Sequence, residues 1–336
     1  MRGATPLLNR LCAFWRLAVH TQLLPVLESG EETLVGGQAV MEGVMMRTPH
    51  AFCTAVRRAD GTLTTEQGIL QRLSERRRIW KLPVLRGIGV LGQAMWLGIK
   101  ALQFSTHVAI DGEQRDVAPA ERLKIPAWVM WLNLGLSFVF FVAFYKFVPL
   151  LVTTRMAKAY PSLHGHILFN LVDGAIRLLL LIGFMWALSW MKDMHRLFEY
   201  HGGEHRVVFN YESGTEVTVA NAQKFVTWHP RCGTSFLLVV MLLAIPIYAM
   251  LPFENFAAKL VSRVLLLPLV IGLSYEIIRF AARRRGSILA TLTKPGLWLQ
   301  RITTQPPSDE QTAVAIHALQ GAMELERTHG GELVIA

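Results

Sequence analysis

Leu136-Ser-Phe-Val-Phe-Phe-Val-Ala-Phe144 is an almost unbroken apolar run. It lies within a longer apolar segment that extends from about Ile125 to Val152. A helix needs roughly 20 apolar residues to cross the bilayer core of about 30 Å. Because this segment meets that length, it predicts a transmembrane helix and therefore a membrane protein.

Three further segments predict transmembrane helices, and the first of them carries two residues of opposite charge. Asp173 and Arg177 are four residues apart there and are expected to neutralise each other. A weaker stretch, 84–104, contains four glycines and several polar residues and is expected to lie in the interface or to re-enter. The predicted fold is therefore mainly α, a polytopic helical membrane protein with about four spans plus one interfacial or re-entrant helix. The further spans are about Ile167–Met191, Gly233–Leu251 and Leu260–Phe280.

Composition supports a lipid-facing protein and excludes a nucleic-acid-binding one. Hydrophobic residues make up 52% and charged residues 17% of the chain, below the roughly 25% charged residues usual in soluble domains. The formal net charge is +10, but the basic residues flank apolar spans and form no stripe interleaved with aromatic residues. Eleven Lys and Arg residues between Arg2 and Lys81 mark the N-terminal side as cytosolic, and four crossings would place both termini there.

The soluble segments also carry secondary-structure signals. Residues 34–65 alternate as a strand does, and Ala59-Asp60-Gly61 supplies a turn, so a small cytosolic antiparallel β element is expected. Residues 308–328 have the spacing of an amphipathic helix, and three widely spaced cysteines argue against disulfides. An amphipathic N-terminal helix, surface-bound or packed on the protein, is expected in 1–33. The other regions are 34–83 with the β element, 84–124 with the interfacial or re-entrant helix and a linker, 125–191 with two spans, 192–233 as a cytosolic motif loop, 234–281 with two spans and 282–336 as a cytosolic tail.

The chemistry-bearing stretch is His201-Gly-Gly-Glu-His205. On a helix the two histidines share a face, so both imidazoles would reach one metal ion. Glu204 sits beside them, where a carboxylate could accept a proton from an attacking water. The order His-x-x-Glu-His is that of inverted zinc proteases. Each of the paired glycines costs about 1 kcal/mol in a helix interior, which favours a helix start or a turn.

Further candidate ligands follow the two histidines. His229 and Cys232 lie three residues apart in a turn-prone segment, and imidazole and thiolate are both good ligands for zinc. Glu276 lies within the fourth predicted span, 71 residues after His205, where an intramembrane carboxylate usually has a function; an ion pair with Arg279 is the alternative. The sequence predicts a divalent metal, with zinc the best fit, completed by one or more of these residues.

Three motifs together resemble the YqhQ-like family, bacterial integral membrane proteins of unassigned function that are often labelled predicted metal-dependent enzymes. The resemblance covers about Val35 to Ile316, and it implies a bacterial inner membrane and several helices. Gly203 departs from it, since the family pattern leads us to expect Ala there. The motifs are Val35-Gly-Gly-Gln-Ala-Val-Met-Glu-Gly-Val-Met-Met-Arg47, His201-Gly-Gly-Glu-His205 and His229-Pro-Arg-Cys-Gly-Thr-Ser235, with Lys294-Pro-Gly-Leu-Trp-Leu-Gln-Arg301 in the tail.

These residues are compatible with two different functions. The leading one is a metal-dependent hydrolase at the cytosolic membrane face, with Glu204 as the general base and a peptide or a lipid-linked group as the substrate. The alternative is a membrane scaffold or assembly factor that uses the same residues as a structural metal site. A transporter is least favoured because no internal repeat accompanies the charged residues in the spans. The sequence leaves the oligomeric state open.

Overall fold

The computed structural model describes residues 35–71, 78–113, 127–229, 232–283 and 288–329. The helix predicted for residues 1–33 lies outside these ranges. The described chain is mainly helical, with one small sheet. Its strands are β1 Gly36–Val40, β2 Gly43–Arg47, β3 Ala51–Arg57 and β4 Leu63–Ile69. Its α-helices are α1 Leu85–Glu113, α2 Ala127–Val142, α3 Val148–Ala159, α4 His166–Ser189, α5 Lys192–Glu212, α6 Val219–Ala222, α7 Gly233–Ala249, α8 Phe256–Leu265, α9 Leu267–Arg283, α10 Ile288–Thr303 and α11 Asp309–His329.

The chain divides into two compact units, each built from separate stretches of sequence. The first unit contains the sheet and the second contains most of the apolar helices. The first comprises Met1–Leu70, Glu199–Thr227 and Pro306–Ala336, and the second comprises Gln71–Phe198 and Trp228–Gln305.

The sheet of the first unit confirms the predicted antiparallel β element. Its four strands pair in the order β1-β2-β3-β4, each antiparallel to the next. Between β3 and β4 the chain turns at Gly61, whose φ of 82° suits glycine. The Arg58 amide closes the turn by donating to the Thr62 carbonyl at 2.9 Å.

Helix α11 covers this sheet by packing against β2 and β3. It confirms the helix predicted near residues 308–328. Its small apolar residues, such as Ala315 and Ala318, are fully buried and let the helix approach the strands closely. The resulting core joins strand, α5 and α11 residues, among them Val44, Met46, Ala55, Tyr200, Val207, Val314 and Leu319.

A buried carboxylate fastens the C-terminal half of α11 to the loop before β3. Glu326 accepts hydrogen bonds from the Thr48 hydroxyl at 2.6 Å and from the His50 amide at 2.8 Å, and it contacts His50 Nδ1 at 2.8 Å. Burial raises the pKa of Glu326, but these hydrogen bonds and the charge of His50 more than offset burial, so the pKa lies below its ordinary value of 4.5.

We expect Glu326→Gln to lower the free energy of unfolding by about 1–3 kcal/mol at neutral pH, because its hydrogen-bonding partners are buried. A carboxylate whose folded pKa is depressed stabilises the fold above its unfolded pKa, and this contribution is lost as the pH falls through the folded pKa. Wild type should therefore lose stability below pH 4.5 more steeply than the variant. Denaturant unfolding at pH 7 and in acid measures both effects. Glu324→Gln, on the exposed face of α11, is the matched control, and an equal effect there would contradict the prediction.

The second unit contains the candidate membrane helices. Within the described residues, two segments are long and apolar enough to cross a bilayer, Trp131–Ala159 and His166–Ser189. A third is added if α8 and α9, which are bent by 48°, count as one span. The prediction of four spans is therefore too high, because α7, predicted as the third span, has 17 residues, fewer than the roughly 20 that a crossing needs. The stretch 84–104, predicted not to cross, lies in α1 and is not among these candidates.

The charged pair predicted within the second span is confirmed. Asp173 and Arg177 form an ion pair on α4, and both side chains are almost completely buried. Asp173 also accepts from Arg263 of α8, whose Nη1 lies 2.9 Å from Oδ1. One carboxylate thus faces two guanidinium groups, which spacing along α4 alone could not reveal.

Candidate metal centre

His201 and His205 lie on one face of α5, as the spacing predicted. Their ring centroids are 4.5 Å apart. The motif lies in the interior of a 21-residue helix, so the helix start or turn favoured by the paired glycines is wrong. Burial explains the difference, since Gly202 and Gly203 are both buried, and tertiary packing overrides a weak local propensity.

Gly203 packs beside the segment that leads into α11. A Cβ atom at this position would lie 3.5 Å from Pro307 Cβ and 3.6 Å from the Gln311 carbonyl oxygen. Both distances are ordinary van der Waals contacts, so the packing has room for a methyl group.

We therefore expect Gly203→Ala to raise the free energy of unfolding by about 0.5–1 kcal/mol, because Ala loses less backbone entropy than Gly in a helix. Metal content should be unchanged. Denaturant unfolding in detergent tests the first statement. Gly37→Ala is the opposite case, since its Cβ would lie 2.8 Å from the Met45 carbonyl oxygen, and it should destabilise. A loss of stability in Gly203→Ala would contradict the prediction.

His205 is oriented by a backbone carbonyl. The side chain is buried, and its Nδ1 faces the carbonyl oxygen of Thr227 within hydrogen-bond distance. Because a carbonyl only accepts, Nδ1 carries the proton and the lone pair is on Nε2. A metal-ligating histidine typically makes such a bond with its second nitrogen. Nε2 of His205 is therefore prepared to bind an ion.

Glu204 is buried next to the histidine pair. Its Oε2 lies 4.0 Å from Nε2 of His201, and the backbone amide of Gly37 hydrogen-bonds to the carboxylate. Burial raises the pKa of Glu204, while the charge of His201, the Gly37 amide and the charge of Arg47 partly offset that rise. A buried carboxylate with a raised pKa suits proton transfer near neutral pH.

Gly37 is a site residue that the sequence argument did not identify. A Cβ there would lie 2.7 Å from Glu204 Cγ and 2.8 Å from the Met45 carbonyl oxygen. Only glycine lets β1 approach the carboxylate closely enough for its amide to donate. The available signal was a pair of adjacent glycines inside a strand pattern, which marks a close backbone approach.

Cys232, the predicted sulfur ligand, is the N-cap residue of α7, and its Sγ lies 3.3 Å from the Thr234 hydroxyl. Imidazole and thiolate together form a donor set that zinc prefers. A role for Cys232 as a ligand beside His201 and His205 stays a prediction.

His229 lies three residues before Cys232 in the sequence, and Gln300 of α10 bonds to the His229 backbone. The Gln300 side chain accepts from the His229 amide at 2.6 Å and donates to the His229 carbonyl at 2.8 Å and to the Ser235 hydroxyl at 2.7 Å. Burial lowers the pKa of His229 to about 3, so its ring is neutral, the form that binds metal. Gln300 was missed because an isolated glutamine gives no chemical signal, although it lies in the tail motif quoted above.

Glu276 has a different immediate partner. Its Oε1 accepts from Arg86 Nε at 2.7 Å and from the Val84 amide at 3.2 Å, and a second bond joins Arg86 Nη2 to Oε2. The bidentate ion pair is therefore with Arg86 of α1, not with the Arg279 that its own helix offered. A role for Glu276 as a metal ligand stays a prediction.

Comparison with known proteins agrees with the motifs. Residues 82–325 match the family described as "Protein of unknown function (DUF1385)". The chain is 34% identical over 294 residues to "Uncharacterized protein YqhQ" of Bacillus subtilis (strain 168), which covers 87% of this chain and 92% of the relative. No solved structure matches significantly. The chain belongs to the DUF1385 family of YqhQ-like proteins, a family of unassigned function.

Proposed function

We propose that this protein is a metal-dependent hydrolase. His201, His205 and Cys232 would hold one divalent ion, zinc by preference, and Glu204 would be the general base. The arrangement on α5 supports this most directly. One face of the helix presents two histidine rings whose centroids are 4.5 Å apart, and the buried carboxylate of Glu204 lies between them in the sequence. The same elements recur in zinc hydrolases, where imidazole ligands lie beside a glutamate that moves protons.

Two residues of the chain would have separate roles in the reaction. A bound zinc ion would supply Lewis acidity. The bond from His205 Nδ1 to the Thr227 carbonyl fixes the tautomer of one ligand. Glu204, 4.0 Å from His201, would take the proton of the attacking water and return it to the leaving group. Catalytic zinc sites in proteins keep one position open for water or substrate.

We further propose that the site faces the cytosol of a bacterial cell. Residues 35–70, 199–227 and 306–329 pack into one compact unit, so they lie on the same side of any bilayer. An even number of crossings then separates 70 from 199, which the two candidate spans supply. By the same logic α7 and the bent pair α8–α9 either both cross or both do not. The eleven Lys and Arg residues from Arg2 to Lys81 support a cytosolic location for the shared side.

A structural metal site in a scaffold or assembly factor is the competing function. It is favoured by His229, whose carbonyl accepts a hydrogen bond from the Cys232 amide at 3.3 Å. The neutral ring of His229 would serve as a fourth ligand. A closed shell of four protein ligands is typical of structural zinc, whereas catalytic zinc keeps an open position.

Metal content tests the proposal. Wild type purified without chelator should contain about one zinc per chain, and His201→Ala should lose most of it, since each ligand contributes strongly to affinity. Glu204→Ala should retain zinc. The matched control is His317→Ala, an exposed histidine on α11. A metal-free wild type would overturn both metal functions, and equal loss in His229→Ala would favour the closed structural shell.

A further inference from the structure

A second site lies in the helical unit. A cavity of about 400 Å³ opens where the two candidate membrane helices are joined. Helix α3 ends at Ala159 and α4 begins at His166, so the residues between them leave the apolar core at one end of the pair. Cavities of roughly 300–1,000 Å³ are typical of small-molecule sites.

Cationic side chains dominate the charged lining of this cavity. Lys158 of α3, Lys259 and Arg263 of α8 line it, against the single carboxylate of Glu254. Lys259 is held in position by its ammonium group, which lies 4.2 Å from the centroid of the Phe169 ring. The remaining polar lining residues are His164, His166, Thr154, Asn170 and Tyr248.

Positive charge also accumulates behind the cavity wall. Arg263 and Arg177 share the one carboxylate of Asp173, and Lys146 donates to the Tyr248 hydroxyl at 2.9 Å. Among the described residues, the buried Nε of Arg177 has no hydrogen-bond partner. These three side chains are at most 4% exposed. Because two guanidinium groups face one carboxylate, the cluster carries more positive than negative charge in a region that water screens poorly.

We propose that this cavity binds the phosphate group of an anionic lipid. Arg and Lys side chains bind phosphate oxygens through charge-assisted hydrogen bonds. The cavity lies at one end of the two candidate membrane helices, where a protein embedded through them would meet lipid headgroups. Its apolar residues, including Leu163, Phe169 and Leu251, offer contact to the first carbons of an acyl chain. Basic pockets between transmembrane helices bind the headgroups of anionic lipids in other membrane proteins.

Native mass spectrometry of the delipidated full-length protein tests the proposal. Dioleoyl phosphatidylglycerol, dioleoyl phosphatidylcholine and inorganic phosphate are added separately. Wild type should bind phosphatidylglycerol in preference to phosphatidylcholine. Lys158→Gln/Lys259→Gln should bind it roughly 25-fold more weakly, since each lysine near an anionic headgroup changes affinity about fivefold. The control Arg155→Gln/Lys192→Gln removes two exposed charges outside the cavity and should bind like wild type.

Circular dichroism must first show that both variants are folded, so that weaker binding reflects the lost charges. Binding of inorganic phosphate that the lysine variant loses would support the same site with a soluble phosphate compound as its ligand. Equal binding of both lipids by wild type, without phosphate binding, would overturn the proposal. Equal weakening in the control variant would overturn it as well, because general surface charge would then explain the preference.

Discussion

Glu204→Gln is expected to lower zinc-dependent hydrolysis by 10²–10⁴-fold, the usual contribution of a general base, while zinc stays bound. The substitution keeps the shape of the side chain and removes its ability to accept a proton. It acts on a carboxylate that is buried beside His201 and held by the Gly37 amide. The measurement is hydrolysis of 4-nitrophenyl acetate by zinc-loaded protein in detergent, with zinc content determined on the same sample.

Two controls make this result specific to the proposed chemistry. Glu199→Gln changes a carboxylate of the same helix that bonds to Gln311, and it should leave turnover unchanged. Cys232→Ser should lose zinc and turnover together, because it removes a proposed ligand. Undiminished turnover in Glu204→Gln would exclude this residue as the base. Zinc binding without measurable hydrolysis in wild type, towards the acetate and towards peptide and phospholipid probes, would leave the structural metal site as the function.

The elements that the sequence predicted well are those whose signal is local. Alternation within residues 34–65 and the turn at Gly61 were enough to predict antiparallel strands, and the spacing of His201 and His205 was enough to place them on one helical face. Asp173 and Arg177 are four residues apart, so their ion pair was equally visible. In each case the partners lie within one element or its nearest neighbour along the chain.

The features that were missed depend on contacts between distant parts of the chain. The Gly37 amide meets Glu204 across more than 160 positions, and Arg86 meets Glu276 across 190. No local pattern in the sequence indicates a contact between residues so far apart. The paired glycines at 202 and 203 gave a wrong prediction of a helix start or turn for the same reason. The free-energy cost of glycine in a helix is a local property, whereas the packing that compensates for it involves distant residues. Span counting failed where a helix is short or bent, as in α7 and at the α8–α9 junction.

Asp173→Asn is expected to destabilise the helical unit by about 3–5 kcal/mol, the range seen when one partner of a buried ion pair is removed. Asp173 is 1% exposed and is the carboxylate to which both Arg177 and Arg263 bond. Asparagine has nearly the same shape, so the loss would reflect charge and not a cavity. Unfolding by sodium dodecyl sulfate in mixed micelles, followed by circular dichroism, measures the change.

Excess guanidinium charge predicts a second result in the same experiment. If uncompensated guanidinium groups cause the instability, removing one of them should help, and Asp173→Asn/Arg177→Gln should be more stable than the sum of the single changes by more than about 0.5 kcal/mol. Asp193→Asn, at an exposed position of α5, should change stability by less than about 0.5 kcal/mol. A loss below about 1 kcal/mol in Asp173→Asn would show that the cluster tolerates its excess charge unaided.

The lipid phosphate proposed for the adjoining cavity predicts a further result in the same unfolding experiment. Added phosphatidylglycerol should raise the stability of wild type. It should raise the stability of Asp173→Asn more, because the excess positive charge is larger in that variant.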